Sequence, residues 1–359
     1  MTPDAFTADV SVAVAQLDAA LSLARSAFAR AVSAVDVHES VRCIAGEPVR
    51  IRFAGDALVE HLAPALEHHT IAPTGAAPVL TINVWDEAST GAPVPMLPEE
   101  ENARTPARSI VGVARAASSS SERRLFEAFD RARGEAWFGV GTPAALTHGE
   151  RGAPFRLVFH WMGSPRGRVL AHAGAVGLDG AGVLLVGPGG VGKSSTSLSC
   201  AEAGFDYAAD DYCLVSVEPS PTAFGLYATG KVEPDELPRY PGLCDTAAPL
   251  SHETDDKILL VLSRAQHGRV VSQLAVRAIA IPVLEPGCVT TRMTRTSASR
   301  ALQALAPSTV GQLPGGAAIT MRTLAELTRA VPCYQLTLGS DRATVPDMVR
   351  QLIEHAVQT

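Results

Sequence analysis

The chain has little lysine. Of the 30 basic residues among its 359, only Lys193, Lys231 and Lys257 are lysines, and arginine fills every other basic position. Arginine presents a rigid planar fork, whereas lysine is a compact point charge on a flexible stem, so the two are not interchangeable against a phosphate. A chain biased this far against lysine is expected to keep it where a point charge is needed. Lys231 and Lys257 therefore stand beside Lys193 as candidates, the alternative being ordinary surface positions that escaped the bias.

Other scarcities narrow the class. Six cysteines, Cys43, Cys200, Cys213, Cys244, Cys288 and Cys333, include no CxxC pair. That pattern excludes a disulfide scaffold and a zinc ribbon, and predicts the reducing cytosol. No apolar run reaches the roughly 18 residues of a membrane span. The opening stretch is acidic first and interrupted by Asp9, Gln16 and Asp18, which predicts neither signal peptide nor anchor. A net charge of −7 offers no general field for nucleic acid. The one basic stretch, Thr291 to Arg300, reads as a solvated loop. What is present is a hydrophobic content of 47%, enough for two compact domains or one large α/β domain with an extension.

Periodicity suggests three parts. Residues 1–40 carry Val14, Leu17, Leu21, Phe28, Val32 and Val35 near helical spacing, predicting one amphipathic helix. Residues 41–165 read as a smaller α+β domain. In it, two alternating strands flank Gly46–Pro48, a helix runs over 56–69, and a strand covers 78–85. A Pro-rich loop is expected at 91–109, then a helix turning into a strand over 121–140, and a further strand over 153–162. Residues 166–359 form the third part, opening with strand, glycine-containing turn, strand and loop.

That loop carries the chemistry. Gly187, Pro188, Gly189, Gly190, Val191, Gly192, Lys193 and Ser194 match GxxxxGK[ST] at every fixed position, after the apolar strand Gly182–Val186 and before a helical stretch that ends near Gly204. Glycines let backbone N–H groups converge on a phosphate, and the helix start adds its positive dipole end. Lys193 can reach terminal phosphates, and the Ser194 hydroxyl can complete a Mg²⁺ shell, with Ser195 next in the cradle. ATP and Mg²⁺ are the expected cofactors.

Asp210 and Asp211 follow Lys193 by only 17 and 18 residues. A ten-residue helix spans about 15 Å and a four- or five-residue strand a similar length, so the pair can return beside the loop. One carboxylate can hold Mg²⁺ and the other can accept the proton of an attacking hydroxyl. The base is assigned to Asp210 and the metal to Ser194 and Asp211, the reverse assignment of the two aspartates staying open.

The run from His172 through "GVLLVGPGGVGKSSTSLSCAEAGFDYAADDYCLV" resembles HPr kinase/phosphorylase and its relatives. In that family a His-bearing strand precedes the loop, and Ala-Asp-Asp follows a helix ending in Gly. The resemblance implies an α/β P-loop kinase domain of the HPr kinase/phosphoenolpyruvate carboxykinase type, here preceded by a smaller α+β domain. It implies support of the carboxylates by His172, which on its own reads as a buried structural histidine. It also implies an active-site role for Arg277 in "LAVRAIAI". Ala278 and Ala280 stand there in place of the family's glycines, which weighs against a reverse phosphorylase activity. Further segments, "RIRFAGDALVEHLAPALEHH", "GLYATGKVEPDELPRYP" and "DDKILLVL" among them, resemble HPr-kinase-like proteins of bacterial peptide-modification and lasso-peptide clusters. Those relatives phosphorylate a serine of a precursor peptide, and this likeness too points to Lys231 and Lys257.

The expected activity is γ-phosphoryl transfer from ATP to a hydroxyl, on a peptide, a protein or a small molecule. A homo-oligomer is implied by the family, and neither nucleic acid nor membrane is expected as partner. Two alternatives differ in kind: a nucleotide-responsive binding protein, and a phosphoenolpyruvate carboxykinase-like transfer to a small molecule.

Overall fold

A computed structural model describes residues 3–72, 77–95, 110–116, 124–248, 256–265, 269–311, 313 and 316–358. The chain forms two compact units, the first mainly Met1–Pro64 and His69–Met162, the second mainly Gly163–Leu313 and Ala317–Thr359. Both are mixed α/β. No described helix is long and apolar enough to cross a membrane.

The first unit starts with helix α1 (Pro3–Ala34) and contains strands β1 (Val37–Ile44), β2 (Glu47–Ala54), β3 (Leu80–Asp86), β4 (Ile110–Ala116), β5 (Arg124–Asp130) and β6 (Glu135–Val140). They form one sheet in the order β1-β2-β3-β6-β5-β4. Leu21, Ala24, Phe28 and Ala31 of α1 recur at helical spacing and pack with Trp85, Phe126 and Trp137 from the sheet.

Three expectations about this unit need correction. The helix expected over 56–69 is broken into α2 (Val59–Leu62) and a 3₁₀ turn (Pro64–His69), because Pro64 lacks the N–H that would continue the ladder. The stretch 121–140 contains no helix among its described residues. β5 and β6 pair antiparallel across a turn in which Gly134 takes φ +61, although Leu125, Phe129 and Ala132 imitate helical spacing. The strand expected over 153–162 is instead helix α5 (Arg156–Gly163), after short helices α3 (Glu87–Thr90) and α4 (His148–Gly152). Leu157, Val158, Phe159, Trp161 and Met162 are all buried, and over eight residues only Arg156 and His160 mark a polar side, too short a pattern to separate a helix from a buried strand. Of the Pro-rich loop, residues 96–109 lie outside the described residues.

The second unit holds strands β7 (Val169–Ala171), β8 (Ala173–Leu178), β9 (Ala181–Val186), β10 (Asp206–Ala209), β11 (Cys213–Ser216), β12 (Thr222–Gly225), β13 (Thr229–Val232), β14 (Ile258–Val261), β15 (Arg269–Val270), β16 (Gln273–Leu284), β17 (Arg292–Thr296) and β18 (Cys333–Leu338). Its helices are α6 (Lys193–Glu202), α7 (Ala298–Val310), α8 (Ala317–Ala330) and α9 (Thr344–Gln358). The main sheet runs β15-β10-β8-β9-β16-β12-β11-β7, with β18 on β16 and β17 on β18, while β13 and β14 pair separately. Along β9, Val183 and Leu185 enter the core with Leu198 of α6 and Val349 of α9. Leu184 and Val186 enter the opposite core with Leu305 of α7 and Leu324 of α8. Both faces of the strand are covered, which is why it reads as a continuous apolar run. The basic stretch expected as a loop is strand β17 followed by the start of α7, whose N-cap Ser297 accepts from the Arg300 N–H.

A Cβ on Gly139 would lie 2.6 Å from the ring of Trp85. Gly139→Ala is accordingly expected to lower stability by about 1–3 kcal/mol through overpacking. Chemical denaturation reads this as a lower midpoint, and an unchanged midpoint would contradict the packing.

Candidate active site

Three adjacent strands bring their chemistry to one end of the sheet. β8 and β9 form a hairpin across Asp179-Gly180, both at positive φ, so the start of β8 lies beside the end of β9. β10 is antiparallel to β8 and therefore runs in the direction of β9. His172, the glycine loop and Asp210-Asp211 thus emerge together. The ladder of β8 with β10 is resumed by β7 with β11, where Ala171 faces Cys213. Between the two ladders regular pairing lapses, and in that gap sit His172 on one ribbon and Asp210, Asp211 and Tyr212 on the other. The His172 and Tyr212 rings stack across it at 5.2 Å.

The glycine loop has the backbone its pattern demands. Gly190 and Gly192 take φ +81 and +101, and a Cβ on Gly192 would strike Leu338 Cδ1 at 2.5 Å. Gly192 is also the N-cap of α6 and supplies no side-chain cap, which leaves first-turn N–H groups for an external acceptor. Lys193 is buried and donates to the carbonyls of Gly187 (2.8 Å) and Pro188 (3.0 Å). Burial pushes its pKa down, against the pull of Asp211 and Asp210.

The two aspartates are held differently. Asp211 binds His172 Nε2 through Oδ1 (2.8 Å) and Lys231 Nζ through Oδ2 (3.1 Å). Burial alone would raise its pKa, but the His172 hydrogen bond and the Lys231 charge hold it well below the usual carboxylate range. Asp210 is only 2% exposed. Its Oδ2 accepts from the Lys231 backbone N–H at 3.0 Å, and its Oδ1 is buried with no hydrogen-bond partner among the described residues. Burial and the neighbouring Asp211 charge raise the Asp210 pKa, with Ser194 and Lys231 pulling it back.

Lys231 lies on β13, which Tyr207 anchors by donating its hydroxyl to the Thr229 carbonyl at 2.6 Å. Gly230 lets that strand close on α6, since a Cβ there would meet Leu198 at 2.9 Å. Lys257 precedes β14 and pairs with Glu233 at 3.2 Å. All three lysines of the chain line a single cleft of about 510 Å³, together with Gly189, Gly190, Gly192, Ser194, Ser195, His172, Asp210 and Asp211. Gly187 and Pro188 hold Lys193 from behind, and Val191 packs over Gly187.

Two sequence assignments fare differently. The Ser194 hydroxyl sits beside Asp210, and Asp211 has both oxygens engaged, so the structure pairs Ser194 with the other aspartate than the one chosen for the metal. Arg277 is exposed at a bulge of β16 and does not line the cleft, because the register slips between Val276 and Ala278. Sequence reasoning assigned no role to Glu233, Asp235, Glu236, Tyr240, Leu284 or Arg342, which also line it. Four of them fall in "GLYATGKVEPDELPRYP", the segment already singled out for Lys231.

The residues fit a nucleoside triphosphate with Mg²⁺: an uncapped helix start, a glycine cradle, a buried ammonium, and a hydroxyl beside a buried carboxylate, the hard donors that Mg²⁺ takes. No protein-family model matches the chain, and no curated protein matches it. Among solved structures it is similar to the HPr(Ser) kinase/phosphatase from Coxiella burnetii, with a TM-score of 0.30 and 14% identity over 53% of this chain and 91% of that one.

The pKa directions set a stability test for the nucleotide-free, metal-free protein. Asp210 keeps its proton to higher pH when folded than when unfolded, so stability falls as pH rises through that window. Asp211 has the opposite sign: its contribution is present at neutral pH and is lost progressively as pH falls below about 4, the pKa of an unfolded aspartate. Asp210→Asn is therefore expected to be more stable than the wild type at pH 7, the gap closing below about pH 4, where an unfolded aspartate is itself protonated. Equal denaturation midpoints at pH 7 would contradict this.

Proposed function

We propose that the second unit is a P-loop kinase domain of the HPr kinase/phosphoenolpyruvate carboxykinase type, transferring the γ-phosphoryl group of ATP to a hydroxyl, most simply a serine of a peptide or protein. The observation that carries this is a deeply buried carboxylate, Asp210, whose Oδ1 has no hydrogen-bond partner among the described residues and whose side chain lies beside the Ser194 hydroxyl that follows Lys193. A site that only binds nucleotide has no use for a buried carboxylate whose pKa is raised above its ordinary value. A group that must take a proton during transfer does.

The glycine loop and the α6 N-terminus hold the phosphates, and Lys193 exchanges its two loop carbonyls for phosphate oxygens. Lys231 locks Asp210 with its backbone and Asp211 with its side chain, so its position serves both carboxylates. His172 fixes the far oxygen of Asp211. Asp210 Oδ1 accepts the acceptor's hydroxyl proton as the new O–P bond forms and the bond to the leaving diphosphate breaks. Mg²⁺ would supply positive charge that offsets the negative charge developing on the phosphates in transfer. Ser194 and the adjacent Asp210 are the residues that would hold it. Lys257 can leave the exposed Glu233 pair to meet the phosphates, at little cost for a surface ion pair.

Incubation with γ-labelled ATP, Mg²⁺ and Ser-containing peptides, protein extracts or small alcohols tests the proposal. Wild type is expected to label an acceptor, and Lys193→Ala and Asp210→Asn to lose about 10²–10⁴-fold in rate. Lys231→Arg is expected to fall as well, because a guanidinium fork does not reproduce the single Nζ contact. Tight ATP binding with no transfer to any acceptor would overturn the kinase and leave a nucleotide-responsive switch.

A further inference from the structure

Within the cleft, one wall differs from the rest. β9, β16 and β18 are parallel and adjacent, so their C-terminal ends lie side by side. The first end becomes the glycine loop, the second is Leu284, and the third leads through Gly339 to Arg342 and α9. Open α/β sheets bind ligands outside the carboxyl ends of such strands. Leu284 is opposite Leu338 in the ladder and its Cδ2 lies 4.0 Å from where a Cβ of Gly192 would be, which puts it on the shoulder of the loop. Yet it is 55% exposed, a large apolar side chain opening into a cleft whose inner wall is charged. Nothing in the phosphate chemistry uses it.

We propose that Leu284 and Arg342 form the nucleobase subsite of this cleft, Leu284 as an apolar shelf under the ring and Arg342 as a planar cation against it. The assignment rests on the ATP-dependent reading above and extends it to residues that reading does not need. A heteroaromatic ring has apolar faces that gain from covering exposed leucine, and a guanidinium stacks on such a face where an ammonium does not. Arg342 is near enough to Tyr240 for its charge to oppose the upward push that burial gives the phenol. Tyr240 in turn donates its hydroxyl to the Ser195 carbonyl at 3.4 Å, so the phenol near Arg342 is tied to the first turn of α6. Phosphates at the end of β9 and base at the ends of β16 and β18 then lie in one continuous cleft.

The test compares binding of Mg²⁺-ATP and of Mg²⁺-tripolyphosphate to the full chain by calorimetry, with no acceptor present. Wild type is expected to bind ATP about tenfold or more tightly than tripolyphosphate. Leu284→Asn and the charge-preserving Arg342→Lys are each expected to weaken ATP about three- to tenfold while leaving tripolyphosphate within about twofold. Both positions are at least partly exposed, so the fold should survive either change. Equal wild-type affinity for the two ligands, or variants that weaken both ligands alike or neither, would overturn the subsite and leave the kinase reading standing. Failure of the wild type to bind either ligand would overturn both.

Discussion

Asp211 has both carboxylate oxygens engaged, one by His172 and the other by Lys231, and the rest of the cleft is arranged around that clamp. Two adjacent carboxylates, Asp210 buried and Asp211 partly exposed, cannot both stay ionised without help, since each charge raises the pKa of the other. The clamp settles which one keeps its charge. Asp211 is held ionised, and the pressure to take up a proton falls on Asp210, which has one oxygen tied to the Lys231 backbone and one free.

The fold supplies this asymmetry through strand ends. A hairpin and a return strand bring three chain segments to one level of the sheet, and the regular ladder lapses there, where a backbone freed from pairing can turn side chains into the cleft. Hydrophobic cores on both faces of β9 and β16 hold those ends in place. Gly174 belongs to the same device: a Cβ there would meet Ser197 Oγ at 2.6 Å, so a glycine is needed for the β8 ribbon to approach α6.

Much of this centre was legible in the chain, for identifiable reasons. The glycine loop and its flanking strand and helix combine local signals that agree with one another, and so does the short interval to Asp210-Asp211. The scarcity of lysine pointed to Lys231 and Lys257, and both line the cleft. Other features depend on partners distant in sequence. No local pattern says that Ser194 lies beside Asp210, that Arg277 falls on a bulge away from the cleft, or that Leu284 and Arg342 line one cleft. In the first unit, α5 is too short for Arg156 and His160 to separate a helix from a buried strand, while chance spacing imitates a helix in the β5–β6 hairpin.

The most direct measurement is a crystal structure with Mg²⁺ and a non-hydrolysable ATP analogue. The account predicts the terminal phosphate on Lys193, with Nζ released from the Gly187 and Pro188 carbonyls, Asp211 still clamped by His172 and Lys231, and Asp210 Oδ1 facing the open side of that phosphate. A nucleotide bound with its phosphates away from the glycine loop, or a clamp that opens to make Asp211 rather than Asp210 the carboxylate facing the terminal phosphate, would contradict it.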